Sequence, residues 1–236
     1  MSDILVWPPL LTPNECKAYV NPFTRSGGRT LGGIKPSVRT DLGHWRVEYV
    51  GIPMHSPAQR RVFEMIDTEL GGTSGRIAIP VWSMDSAPYA SGQEEPLSEL
   101  PFTDGSMFSD GTTMQQSGIS VVSVGATAIG ATTIAMRVIT GAPDLSGVRF
   151  SYNHALYKTG RVISVADEVF TLRITPSVRQ LIPAGSQLEF DRPTCICNLQ
   201  DDAGMQRSIN SDRFERVNVS FVEDTDYWNR VALGLI

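Results

Sequence analysis

Apolar and polar residues alternate with a period of two along several stretches of this chain, and this pattern constrains its fold most. From Arg46 to Val50, Val47 and Tyr49 share one side. From Arg76 to Trp82, Ile77, Ile79 and Val81 do. From Val169 to Ile174 the row is Phe170, Leu172 and Ile174, and from Arg216 to Val222 it is Val217, Val219 and Phe221. Successive side chains of a strand point to opposite faces, so the alternation predicts half-buried antiparallel strands. Shorter versions at 161–165 and 186–190 carry β-branched and aromatic residues, which suit a pleated surface.

One segment breaks the period. Ser56-Pro57-Ala58-Gln59 places Ser at an N-cap, Pro at the first helical position and Gln where a capping box needs it. Ala58, Val62, Phe63, Ile66 and Leu70 follow on one helical stripe, with Arg60, Arg61, Glu64 and Asp67 opposite, and Gly71-Gly72 supplies the stop. The spacing predicts an amphipathic helix of about four turns, packed on a sheet.

The 236 residues suffice for one large β domain or two small ones, each with a core. The 41% hydrophobic and 19% charged residues describe a globular chain, and 21 Gly with 15 Pro fit many short strands joined by turns. A net charge of -5 leaves no basic surplus for gripping nucleic acid. The opening Met1-Ser-Asp-Ile-Leu-Val-Trp-Pro-Pro9 has no basic start and its apolar run stops at proline, so it does not read as a signal peptide. No apolar run reaches the ~20 residues of a membrane span. The expectation is a chain made in a cytoplasm, without membrane insertion.

The segment from about Met84 to Gly118 has little periodicity. It contains an echo, Phe102-Thr-Asp-Gly-Ser-Met and Phe108-Ser-Asp-Gly-Thr-Thr, whose Asp-Gly turns flanked by Phe suggest a loop or tight ribbon anchored by aromatics. No Lys or Arg occurs between Arg76 and Arg137, while Asp85, Glu94, Glu95, Glu99, Asp104 and Asp110 do. This is either a solvated acidic loop or an acidic wall that repels DNA phosphates. After it, 119–200 reads as a small barrel of five or six strands with turns at Gly141-Ala-Pro143, Gly160 and Pro183-Ala-Gly185. The chain closes with a strand at 216–222 and an aromatic tail containing Tyr227 and Trp228.

Candidate chemistry has a better structural reading at each position. Cys195-x-Cys197 lacks the second ligand pair of a zinc site, and its i, i+2 spacing suits two small side chains buried on one face. With Cys16 the count is three, which argues against a disulfide framework. His44, His55 and His154 lie in unrelated contexts, and nothing near Cys16 reads as lowering its pKa. Glu94-Glu95 and Asp201-Asp202 read as solvated turn charge. Gly71-Gly-Thr-Ser-Gly75 follows a helix, whereas a phosphate loop precedes one. The expectation is a structural and interaction protein, not an enzyme, with no catalytic, cofactor-binding or metal residue and no cofactor.

Several local patterns stand in a telling order. Leu-Gly-His-Trp-Arg-Val-Glu-Tyr (42–49) leads to the helix, and Leu-Gly-Gly-Thr-Ser-Gly-Arg-Ile-Ala-Ile-Pro-Val-Trp (70–82) follows it. The Asp-Gly loop then ends near Phe108-Ser-Asp-Gly. Pro-Ser-Val-Arg-Gln-Leu-Ile-Pro-Ala-Gly-Ser-Gln-Leu-Glu-Phe-Asp-Arg-Pro (176–193), Cys195-Ile-Cys-Asn-Leu and Val219-Ser-Phe-Val-Glu223 complete the series. This order, over nearly the whole chain, resembles the distal tail (tail-hub) proteins of long-tailed non-contractile bacteriophages. The resemblance implies a mainly β fold: a tail-tube-like β-sandwich or barrel with one flanking α-helix, from 1–118 and 201–236, and an inserted small β-barrel at 119–200. It implies a homo-hexameric ring at the end of the tail tube, in the virion tail, assembled in the host bacterial cytoplasm. Its partners would be further copies of itself, the tail tube protein and the hub or fibre proteins of the tip, with DNA only as cargo passing through the channel. Such a ring would pair exposed strand edges between subunits, and Trp7 and Trp228 are candidate interface anchors. The alternative is a carbohydrate- or receptor-binding β module on a virion or cell surface, in which aromatic side chains stack on sugars.

Overall fold

The computed structural model describes residues 4–26, 28–29, 31–33, 37–39, 42–95, 98–100, 114–116, 118–207 and 215–236. In chain order it forms β1 (Leu5–Val6), a short 3-10 turn (Pro9–Leu11), β2 (Glu15–Asn21), β3 (Thr24–Ser26), β4 (Ser37–Arg39), β5 (His44–Pro53), α1 (Pro57–Leu70), β6 (Ile77–Pro80), β7 (Ser98–Leu100) and β8 (Met114–Gln116). There follow β9 (Ser120–Ser123), β10 (Thr133–Thr140), β11 (Arg149–Tyr152), β12 (Ala155–Ala166), β13 (Val169–Thr175), β14 (Gln187–Leu188), β15 (Thr194–Leu199), β16 (Arg216–Glu223) and α2 (Thr225–Ala232). The protein is mainly β.

The first sheet has six strands in the order β1-β6-β15-β16-β5-β2. β5 shows the expected alternation, with Trp45, Val47 and Tyr49 buried between half-buried polar neighbours. β16 does the same with Val217, Val219 and Phe221. Trp7 packs edge-on against Tyr49 and Phe221, with ring centroids 5.4 and 5.5 Å away, and its Nε1 donates to the Leu11 carbonyl at 2.9 Å. Helix α1 closes this core with Phe63, Ile66 and Leu70. Its capping box is formed as expected: Gln59 N donates to Ser56 Oγ, and the Gln59 side chain accepts from Ser56 N. Gly71 ends the helix in the left-handed region, at φ 54°. Ala58, placed on the apolar stripe by spacing, is exposed.

The second sheet also has six strands, in the order β11-β12-β13-β10-β9-β14. Its ends meet, because Ser151 and Glu189 exchange backbone hydrogen bonds of 2.8 and 2.9 Å. The result is a nearly closed barrel around Met136, Phe150, Tyr157, Leu172 and Phe190, with Phe150 stacked on Phe190. The remaining strands form two-stranded ribbons, β3–β4 and β7–β8. β7–β8 lies in the expected loop or ribbon, whose Phe102, Asp104, Phe108 and Asp110 fall outside the described residues.

The structure differs from the sequence reading in two further places. The small barrel does not extend to residue 200: β15 pairs with β6 and β16 in the first sheet. β15 is buried on both faces, which its sequence alone cannot distinguish from a barrel strand. Cys195 and Cys197 enter the first core, while Ile196 enters the barrel core. Leu156 makes the reverse exchange from barrel strand β12 into the first core. Secondly, the aromatic tail is a helix, α2, capped by Asp224, which accepts from Tyr227 N at 2.9 Å. α2 packs Trp228 into the barrel cluster.

Candidate functional site

The residues considered for chemistry are dispersed. Among the described residues no group of three His, Cys, Asp or Glu side chains could hold a metal ion. Cys195 and Cys197 are fully buried free thiols on one face of β15, as their spacing suggests. Cys16 is half-buried on β2, and burial pushes its thiol above the usual range. His44 packs against Phe23, and burial lowers its pKa, partly countered by the Glu223 carboxylate. His154 sits in the turn between β11 and β12, 2.8 Å from Thr194 Oγ1, with its pKa lowered by burial. His55 is exposed before α1, its backbone N–H given to Gln59.

The carboxylate pairs hold loops. Glu95 accepts from Ser91 N at 2.9 Å. Asp202 accepts from Thr73 N and Oγ1 at 2.9 and 2.8 Å, so it pins the glycine-rich turn after α1. In that turn a Cβ on Gly75 would lie 2.2 Å from the Leu70 carbonyl, a packing reason for glycine there. Of the acidic segment, Asp85 and Glu94 are exposed and Glu95 is half-buried. Tyr89 anchors it in the barrel core and donates its hydroxyl to Asp191.

The junction between the sheets holds the buried charge. Arg179, from the segment after β13, donates to Glu223 at the end of β16, and Glu223 also accepts from Trp45 N at 2.9 Å. The neighbouring Asp224 receives Arg76 Nε at 2.6 Å, and the Arg76 guanidinium lies over the Tyr227 ring. Arg149 on β11 reaches the carbonyls of Trp82 and Ala18, 2.8 and 3.3 Å away. β2 is an outer strand of the first sheet, but the barrel thus takes its Ala18 carbonyl within the chain.

Two apolar surface features remain without a role inside the chain. A cleft of about 290 Å³ lies between α2 and the barrel, lined by Phe23, Leu42, Ile129, Val178 and Trp228. Trp228 is 4% exposed, and its buried Nε1 has no acceptor among the described residues. Trp7, the other suggested anchor, is core with its Nε1 satisfied. The second feature is the hairpin that β12 and β13 extend beyond the barrel, on which Ile163 and Val165 are exposed. Sequence reading named Trp228 but neither the cleft around it nor the hairpin. The alternation at 161–165 identifies a strand but cannot say that it projects.

No protein-family model matches this chain, and no curated protein matches it. Among the described residues no helix is long and apolar enough to cross a membrane.

Proposed function

We propose that this chain is a structural subunit that assembles with copies of itself into a ring at the end of a phage tail tube. The observation that carries the reading is the pair of apolar surface features on the small barrel, the Trp228 cleft and the Ile163–Val165 hairpin. Exposed apolar surface with a concave counterpart marks an interaction site. The resemblance to distal tail proteins supplies the assembly: six subunits, a central channel for DNA, and contacts to the tail tube protein on one side and to hub or fibre proteins on the other. In this reading the acidic segment near Asp85 and Glu94 repels DNA phosphates in the channel, and no step of chemistry is required of the protein.

Cryo-electron microscopy of the purified protein and of virions tests the reading. Rings with a central channel are expected. A protein that stays monomeric at high concentration and is absent from the particle would sink it. A carbohydrate-binding role draws on the exposed rings of Tyr19 and Phe23, and a glycan array without signal removes it.

A further inference from the structure

The barrel carries a cationic outer face. On β10, Ile134 and Met136 are buried in the barrel core, so Thr133, Ala135 and Arg137 point outward. On β13, Leu172 and Ile174 are buried, so Thr171 and Arg173 point outward beside them. The register sets Thr133 opposite Arg173 and Ala135 opposite Thr171. On β12, Tyr157 and Thr159 are buried and Lys158 points outward, opposite Thr175. Lys158 is thus one diagonal step from Arg173, within reach of long side chains.

A bulge adds a fourth cation. Thr159 pairs with Ile174 and Val162 with Leu172, so Gly160 and Arg161 together oppose Arg173. In a regular strand Arg161 would turn inward after the outward Gly160. The extra residue instead keeps it outside and exposed, while Val162 packs on the barrel core. A Cβ on Gly160 would lie 3.3 Å from Arg173 Cβ, so glycine leaves the space beside Arg173 open. Arg137, Lys158, Arg161 and Arg173 are all exposed. None has an ion-pair partner among the described residues, and the acidic turn Asp167-Glu168 supplies none. Like charges opposite one another on a sheet repel, and a bound anion relieves the repulsion.

A shallow cleft of about 290 Å³ opens among these cations. Thr133, Ala135 and Thr171 form its floor, and Val124, Ala126 and Ala128 its wall. Arg173 flanks it at Thr133, and Arg137 continues the row beyond Ala135. β10 lies between β13 and β9, and β13 between β12 and β10, so neither strand offers a free backbone edge. An extended peptide docks through such an edge, and here it finds none. Recognition falls to hydroxyls and guanidinium groups. The volume is close to the lower end of the roughly 300–1,000 Å³ of small-molecule sites, which suits a single sugar ring. Sugar hydroxyls meet the threonines, and arginine forks match a carboxylate or phosphate substituent.

We propose that the outer face of β10, β12 and β13 binds an acidic saccharide, with a sugar ring in the Thr133–Thr171 cleft and its carboxylate or phosphate group at Arg173 and Arg161. The site uses none of the aromatic residues named above and does not rest on the ring reading. Calorimetric titration with oligogalacturonate and with phosphomannan tests it, with methyl-esterified oligogalacturonate and unphosphorylated mannan as neutral controls. Binding to at least one acidic saccharide and to neither control is expected, and the arm that binds names the anionic group. Arg161→Ala with Arg173→Ala should weaken that binding about tenfold or more. Both side chains are exposed, so the circular dichroism should not change. The isosteric Thr133→Val with Thr171→Val should weaken it about threefold. Binding to neither acidic saccharide, unchanged affinity in either double variant, or equal affinity for polyglutamate would each overturn the proposal.

Discussion

Arg179 and Glu223 face each other as a fork on a fork, with Nε 2.9 Å from Oε1 and Nη2 3.2 Å from Oε2. The carboxylate side chain is fully buried and the guanidinium 10% exposed. The pair ties the barrel to β16 and, through Trp45 N, to β5. Removing one partner of a buried pair strands the other charge without water. Glu223→Ala is therefore expected to cost about 3–5 kcal/mol. Replacing both, as Glu223→Leu with Arg179→Met, should recover much of that loss, and urea denaturation of the three proteins checks it.

Leu156 and Ile196 are exchanged between the cores, each lying on a strand of one sheet and packing in the core of the other. Truncating either to alanine is expected to cost about 2–5 kcal/mol. Neither core can dissolve without exposing a side chain of the other, so the two sheets should unfold in one calorimetric transition. Two separated transitions, with Ile196→Ala lowering only one, would contradict this.

Helix α1 depends on its ends. Ser56→Ala removes the acceptor of Gln59 N and should destabilise by about 1 kcal/mol. Gly75→Ala should cost more than Ser56→Ala, because its Cβ meets the Leu70 backbone, which cannot swing aside. Comparing the thermal midpoints of the two variants decides the order.

Stability should fall at both extremes of pH. Burial holds the Tyr49 and Tyr157 hydroxyls protonated above the ordinary tyrosine value of 10.0, with Tyr49 donating to the Pro80 carbonyl. The unfolded chain releases these protons near pH 10 and the folded chain does not, so stability is full below pH 10 and falls as pH rises. Burial depresses His44 and His154 below 6.5, so their contribution is present above pH 6.5 and falls as pH drops. Burial also raises the Cys16 and Cys195 thiols above 9.0, which adds to the alkaline fall, so urea midpoints should be flat between about pH 7 and 8 and lower outside. Tyr49→Phe should flatten the alkaline limb.

Much of the architecture was legible because its signals are local. Ser56, Pro57, Gln59 and Gly71 delimit α1 within one stretch of chain, and the caps form as their types suggest. The alternation in β5 and β16 names the buried faces correctly. α2 was not legible: it has eight residues, and Asp224 as its cap follows directly on a strand. The partners of β15 were not legible either, because Cys195, Ile196 and Cys197 are apolar on both faces. The Trp228 cleft was read in part. Trp228 drew attention as an aromatic, but its cleft also requires Phe23, Leu42 and Ile129, which come from distant segments.

The sequence by itself determined a mainly β chain with a capped helix and a separate small barrel, because strand period and helix caps depend on neighbours a few residues away. The tertiary structure alone decided which sheet owns β15, how Arg179 meets Glu223 across 44 positions, and that Thr133 stands opposite Arg173 on the outer face of the barrel. These are long-range pairings, chosen by how complete side chains pack and satisfy their polar atoms once the strands are brought together, and no local pattern encodes that choice.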